Sequence, residues 1–441
     1  MRNTQTAALT VACLFLACFA QAQPGETKPR VIATTDGEID DRCSMIRFLL
    51  YANEWDIRGI IHSSSKYHWK GNAETPAHDW EDVSWLDRQL DAYMAVYPNL
   101  KLHDAGYPSP EYLRSHVFVG NTEAVGDMRN ATPGSNHIVE VLLEPDESPV
   151  WLQAWGGANT IARALKTISE EHPERIAEVS RKARVYLISE QDNTFREYIR
   201  PEWPDIQVLL CRGATFGAIA YDWRSIQSPD VRTYFDRDWM TANILQDHGP
   251  LCGLYEAKNG AFRSEGDSPS FLHLINNGLR SAENPTFGGW AGRFARSNGV
   301  WKSVDKDGVV PHTILRWATD FQNDWAARAD WCVKGVKESN HPPVAKVKGP
   351  LNQNVRGGQT VTLAAESIAD PDGDAVTCRW WQYQEAGTAS AVAISNPAST
   401  DNASLIVPLE PGKTIHIILE VSDDGTPPLK QWQRMILAIQ E

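Results

Sequence analysis

The chain is short of cysteine, of net positive charge and of long apolar runs, and each shortage excludes something. Seven cysteines occur in 441 residues, and two of them, Cys13 and Cys18, fall near the N terminus. The other five, Cys43, Cys211, Cys252, Cys332 and Cys378, make no CxxC pair and show no metal-ligand spacing, which argues against a zinc site. Their odd number leaves at least one free thiol. One disulfide, such as Cys211–Cys252, is compatible with an oxidising compartment, although spacing does not fix the pairing. Lys and Arg total 42 against 56 Asp and Glu, a formal net charge of -14. Nucleic acid polymers and anionic membranes both call for a basic surface, so neither is expected as a partner. The sequence carries no internal repeat and no low-complexity segment.

The apolar run Ala7 to Ala20 follows Arg2 and is too short for a stable membrane anchor. Ala20-Gln21-Ala22 supplies a small-x-small cleavage pattern, so residues 1–22 read as a signal peptide and the mature chain starts at Gln23. Phe15 stands where a lipoprotein signal carries a small aliphatic residue, which disfavours lipid attachment at Cys18. The product is expected to be secreted or periplasmic.

What is present is the composition of a folded protein, 42% hydrophobic and 22% charged, long enough for two or three domains. The 17 tryptophans read as core for the most part, with sugar stacking as the sharper alternative. From "RVIAT" to "IQVLLC" short β-rich runs alternate with helical ones such as "DDRCSMIRFLLYA" and "NTIARALKTISEEH". That alternation predicts a mostly parallel sheet flanked by helices, over residues 23–338. His341-Pro342-Pro343 breaks the pattern. The remaining 339–441 are short strands and turns, sized for an immunoglobulin- or cadherin-like β-sandwich without the Cys…Trp…Cys spacing. A chain ending near Lys337 is expected to fold without that second domain.

The chemistry starts at "ATTDGEIDDRC", where Asp36, Glu38, Asp40 and Asp41 crowd between a strand and a helix. Helix capping accounts for one or two acids in a first turn, not four. A phosphate loop is excluded by the charge and by the missing Gly-rich Lys/Ser pattern. A hard cation with oxygen ligands resolves the repulsion, calcium as first choice and magnesium as second.

From these residues on, the chain resembles a secreted nucleoside-hydrolase-like family described as cellulose-binding. "ATTDGEIDD" is similar to the "DxDxGxDD" loop of nucleoside hydrolases, "VWLQAWGGANTIARAL" to their "TGPLTNIALAL" segment, and "SEGDSPSFL" to their late "HDPLA" segment. The resemblance implies calcium held by Asp36, Asp41, Asp267 and the backbone carbonyl of Trp155. It implies Asp36 as the general base for the attacking water and Asp40 as a sugar ligand. The activity so implied is an exported calcium-dependent hydrolysis of N-glycosidic or related glycosidic bonds, on a small sugar or nucleoside. The alternative is a catalytically weak or inactive protein that binds carbohydrate of the cellulose type. Thr34, Gly37 and Glu38 depart from the family's loop, and Gly266 replaces the His that helps a nucleobase leave.

Weaker candidates complete the expected site. Asp192 and Asn193 are possible sugar ligands, from a loose likeness of "SEQDNTFREYI" to a ribose-holding segment. "HSSSKYHWKGN" offers His62, Lys66, His68, Trp69 and Lys70 on the same rim, or only a polar loop. Glu265, His62 and His68 are candidates to support the leaving group. "GGWAGRF" would bring Trp290 and Arg293 to the pocket mouth or form a tight turn. "DPDGD", Asp370 to Asp374, reads as a turn, with structural calcium as the alternative. Adjacent Trp380 and Trp381 point to opposite faces of a strand, one to the core and the other to an exposed contact.

Overall fold

A computed structural model describes residues 28–306 and 313–441. The expected signal peptide, residues 1–22, lies outside them. The first part of the chain builds an eight-stranded sheet from β1 (Arg30–Thr35), β2 (Asp56–His62), β3 (Val117–Val119), β4 (Val150–Ala154), β5 (Ala183–Ile188), β6 (Gln207–Cys211), β7 (Phe294–Ser297) and β8 (Val300–Ser303). Their spatial order is β3-β2-β1-β4-β5-β6-β8-β7. Every pairing is parallel except that of β7 with β8.

The central strands β1 and β4 are buried throughout because both faces are covered. Val31 and Ala33 of β1 pack into one layer, with α1 (Ile39–Leu50) and α2 (Ser84–His103). Ile32 faces the other layer, with the helices Pro133–Leu143 and Asn159–Glu171. Chain order runs outward from β1 to β3 on one side and from β4 to β6 on the other. The direction of winding thus reverses between β1 and β4. Loops leaving the carboxyl ends of two such strands diverge to opposite faces, which opens a crevice between them. The acidic loop follows β1, and Trp155-Gly156-Gly157 follows β4.

From Val344 onward the regular structure is β apart from one 3-10 turn, Gln384–Ala386. One sheet has the order β10 (Asn352–Arg356), β17 (Lys430–Gln440), β16 (Thr414–Ser422), β13 (Thr377–Gln382). A second has β11 (Thr360–Leu363), β15 (Ala403–Ile406), β14 (Ile394–Ser395), and β9 (Val344–Val347) pairs with β12 (Ala365–Ala369). These pairings are antiparallel apart from β10 with β17. Trp380, Leu405, Ile417 and Leu437 lie in a core of their own.

The two parts are not independent bodies joined by a strap, and here the expectation for a shortened chain changes. Trp432, Tyr383 and Ile418 of the β part belong to the same apolar cluster as Trp290, Trp317 and Phe321. The Trp432 ring lies 5.4 Å from that of Trp317 and 6.2 Å from that of Trp290. Arg434, fully buried, donates to the carbonyls of Leu279, Phe287 and Gly288. Gly278, at φ +79°, lies against the Trp432 carbonyl, where a Cβ would collide. A chain cut near Lys337 would strip this cover from several tryptophans, each burying about 150–250 Å², so it is expected to unfold or aggregate.

The same packing revises three smaller expectations. Trp290 is buried in the interface, not at a pocket mouth, and Gly289 and Gly292 close "GGWAGRF" into a tight turn. Trp381 is half-buried against Trp317 while Trp380 fills the sandwich, so neither is an open contact. The five described cysteines are free, and Cys252 lies beside Cys332 rather than Cys211. Cys211 is instead enclosed at the end of β6 beside Tyr186 and Ser303.

Candidate active site

The acidic loop turns at Gly37, where φ is +78° and a Cβ would come within 2.9 Å of the Trp85 indole nitrogen. Only glycine fits that combination without strain. The turn feeds α1, which places Asp40 and Asp41 in its first turn. Neither Glu38 at the N-cap of α1 nor Asp267 at the N-cap of the helix Ser268–Leu272 makes a side-chain capping bond. Capping therefore does not occupy these carboxylates.

Their hydrogen bonds are few. Asp41 Oδ1 accepts from the Thr35 hydroxyl at 2.5 Å and from the Asp36 backbone N–H at 3.1 Å, which pins the loop. Asp36 Oδ1 accepts from the Glu38 N–H at 3.1 Å. Asp36 Oδ2 and Asp267 Oδ2 are buried and have no hydrogen-bond partner. Asp40, Asp41 and Asp267 each bring one carboxylate oxygen to within 4.8 Å of the others. Asp36, Asp41 and Asp267 are at most 2% exposed.

Burial and mutual repulsion act together on this group. The Asp40 carboxyl is pushed up to about 8 by burial and by the charges of Glu38 and Asp36. Those of Asp41 and Asp267 rise well above the ordinary carboxylate range, first through burial and then, for Asp41, through Asp36 and Asp40 and, for Asp267, through Asp41, Asp40 and Asp36. Such a set is unstable as bare anions. An all-oxygen donor set of this size with orphaned lone pairs fits a hard divalent cation.

The wall opposite the loop comes from β4. A Cβ on Gly156 would lie 2.9–3.0 Å from the Asp36 carboxyl group, so this glycine lets the backbone close on the acid. The Trp155 carbonyl accepts from Gln191 Nε2 at 2.5 Å, which uses one of its two lone pairs. Gly266 has a similar task, since a Cβ there would lie 2.6 Å from Asp40 Oδ2.

The remaining expected residues divide. His68 Nε2 lies 3.8 Å from Glu38 Oε2, at the rim of the acid group. His62 is buried under the loop, stacked on Trp80, with Nε2 3.4 Å from the Asp36 carbonyl. Burial pulls its imidazole down to about 4, so it is neutral near pH 7. Glu265 is not a pocket residue. It is fully buried and paired with Arg47 Nε at 2.5 Å, and it also accepts from the Ser268 hydroxyl. Asp192 accepts from the Asn159 N–H and from Thr194, bracing the helix that follows Gly157. Asn193 is exposed and donates to Glu197. Trp69 is stacked on His78 and donates to the Pro76 carbonyl, so one face of its ring is covered. Lys66 lies over Tyr67.

One residue escaped the sequence reading. The Tyr221 hydroxyl donates to Glu38 Oε1 at 2.8 Å and is 3.3 Å from Asp40 Oδ1, with the side chain 47% exposed. It lies after β6, far from any motif, and no spacing in "GAIAYDW" flags it.

Comparison with known proteins fits this architecture. Residues 30–294 match the family described as cellulose-binding Sde182, nucleoside hydrolase-like domain, and 360–439 match the C-terminal domain of cellulose-binding protein Sde0182. A nucleoside hydrolase-related protein from Saccharophagus degradans, associated with carbohydrate metabolism, is 31% identical with a TM-score of 0.79. The likeness covers 94% of this chain and 100% of that one. A plant nucleoside hydrolase is 11% identical over 69% of this chain and 99% of its own, with a TM-score of 0.33. Human CDH23 cadherin repeats are 18% identical over 24% of this chain and 35% of their own, with a TM-score of 0.17. The last two scores are too low to bear on function. No curated protein matches the chain.

Proposed function

We propose that this chain, which belongs to the cellulose-binding Sde182 nucleoside hydrolase-like family, is an exported hydrolase of glycosidic bonds in carbohydrate-derived substrates. The observation that carries the reading is the Asp36 carboxylate. It lies at the reversal point of the sheet, buried, with one oxygen unpartnered, beside the Asp40–Asp41–Asp267 group. Plain sugar binding has no need of such a base.

Asp36, Asp41 and Asp267, with the free lone pair of the Trp155 carbonyl, would hold calcium, or magnesium as second choice. When bound, the ion supplies the positive charge that keeps these carboxylates ionised at neutral pH and aligns sugar hydroxyls. Asp36 Oδ2 is the base: it takes the proton of the attacking water as positive charge grows on the sugar ring. Asp40 accepts a hydrogen bond from a ring hydroxyl. Of the three candidates for helping the leaving group, Glu265 is held by Arg47 and His62 is buried and neutral. His68 remains. With no side chain at Gly266 to protonate a nucleobase, the reading favours a glycoside whose leaving group is not a purine or pyrimidine.

Two observations favour the second reading, a carbohydrate-binding protein with little or no turnover: Gln191 already contacts the Trp155 carbonyl, and the matched family is described by binding. The test is a panel of aryl furanosides, aryl pyranosides and nucleosides, with sugar binding measured in parallel. The hydrolase reading expects turnover that falls by about two to four orders of magnitude in Asp36→Asn while binding persists. Absence of turnover in the wild type, with unchanged sugar binding in Asp36→Asn, gives the binding reading.

A further inference from the structure

A chain of net charge -14 gathers four cations around one cavity, and the proposed chemistry uses none of them. The segment after Tyr221 folds into three short helical turns, Trp223–Ile226, Pro229–Arg232 and Arg237–Met240. With the turn at Asn259 and Gly260 they border an open cavity of about 290 Å³. Arg224, Arg232, Arg237 and Lys258 line it, together with the buried Trp223. Trp223 follows Tyr221 by two residues, so at most about 7 Å of backbone separates this cavity from the residue that reaches Glu38 and Asp40.

What holds these side chains is neutral. Arg237 Nε donates to the Asn259 carbonyl at 2.7 Å. The turn that presents this carbonyl has φ +55° at Asn259 and +81° at Gly260, and a Cβ on Gly260 would lie 3.0 Å from Arg237 Cγ. Arg232 Nη2 donates to the Gln227 carbonyl at 2.9 Å, and its Nε is enclosed without a partner. The Arg224 guanidinium lies 4.2 Å from the centre of the Trp223 ring. Among the described residues no carboxylate forms an ion pair with any of the four cations, the nearby Asp222, Asp230 and Asp238 included. Asp236, the one acid among the described residues that line the cavity, accepts from the Trp239 N–H as the cap of its helix. Elsewhere the fold matches arginines with acids: Arg30 faces Glu144, Arg42 faces Glu256, Arg47 faces Glu265 and Arg328 faces Glu54.

We infer that the cavity of Arg224, Arg232, Arg237 and Lys258 binds the anionic group of an acidic saccharide, a uronate carboxylate or a sulfate ester, beside the acidic pocket. For the sugar part of the ligand the inference rests on the glycoside reading above. A guanidinium fixed through one nitrogen presents its remaining N–H donors as a fork that matches an oxyanion. Arg237 keeps both Nη groups for this purpose, and Arg232 keeps Nε and Nη1. Anchoring on carbonyls and an indole face leaves the positive charge uncompensated. It also removes side-chain freedom in advance of binding, which lowers the cost of association. A neutral sugar has no need of such charge. An acidic one does, because the net charge of the chain repels it and a local cluster of cations reverses the field where it docks.

The test is titration calorimetry on the full chain at low ionic strength, with tetragalacturonate, a sulfated tetrasaccharide, cellotetraose and inorganic sulfate as probes. At least one acidic saccharide should bind. Its affinity should fall about tenfold or more in Arg232→Gln/Arg237→Gln and decline with added salt. Near-ultraviolet circular dichroism verifies folding, and Lys258→Glu, on an exposed turn, should weaken the same probe without touching the helical turns. Cellotetraose should behave alike with the variants and the wild type. Binding of the uronate alone assigns a carboxylate, and binding of the sulfated saccharide alone assigns a sulfate ester. The readout is binding, so a chain that hydrolyses nothing can still satisfy it. The inference is overturned if neither acidic saccharide binds, if the folded variants bind them as tightly as the wild type, or if cellotetraose shows an equal loss. Inorganic sulfate binding as tightly as the saccharides overturns it as well.

Discussion

Glu265 and Asp267 stand two residues apart, both fully enclosed, and the protein treats them in opposite ways. Glu265 receives Arg47 on both oxygens and the Ser268 hydroxyl as well, and Arg47 is itself completed by Gln322 and the Phe321 carbonyl. Asp267 faces other carboxylates and has an oxygen with no partner. The fold evidently can neutralise a buried acid at this depth. That it does so for one and not for its neighbour separates a structural charge from a ligand-seeking one. The apolar junction around Trp432 and Arg434 follows the Glu265 pattern, with Arg434 Nε and Nη2 directed at carbonyls and Nη1 at His416 Nδ1.

The contrast can be broken from either side. Glu265→Ala leaves Arg47 uncompensated in the interior and should cost about 3–5 kcal/mol, read by chemical denaturation, or abolish folding. A loss below about 1 kcal/mol would mean that the pair is as replaceable as a surface one. Asp267→Asn should do the reverse in the absence of divalent cations. It removes one of several repelling charges at constant size, so the melting temperature should rise by a few degrees. A drop would show that Asp267 is held by something other than a missing ion.

The smallest effect is in pH. The Asp40 carboxyl is pushed up to about 8 in the folded protein, whereas an unfolded chain releases that proton near the ordinary value, about 4. The folded state therefore holds more protons between those limits, and stability without divalent cations should fall as pH rises through them. Saturating calcium should flatten the profile. A cation-free profile that climbs from about pH 5 to about pH 8 would contradict the assignment of repulsion as the dominant force.

Much of this was legible in the sequence because it is local. Strand–helix alternation exposes a parallel sheet, and four acids in six residues cannot be explained by a cap. The resemblance to nucleoside hydrolases, rather than spacing, brought Asp36, Asp41 and Asp267 into one expectation. What failed was long-range. Glu265 reads as a polar residue beside a motif, and only the fold brings Arg47 across 218 positions to it. Tyr221 reaches Glu38 from 183 positions away. The tryptophans of "GGWAGRF" and of β13 and β17 carry no mark that distinguishes sugar stacking from an interface, since both need the same broad apolar ring. The junction between the two parts was underestimated for that reason.

The central claim is that the acids after β1 are assembled around a cation, and calcium-dependent thermal stability tests it most directly. Calcium at about a hundred times its dissociation constant should add about 2.7 kcal/mol of stability, a melting-temperature rise of several degrees that a chelator reverses. Asp41→Ala should show no such rise. An unmoved melting temperature, or an equal rise with and without Asp41, would contradict the account.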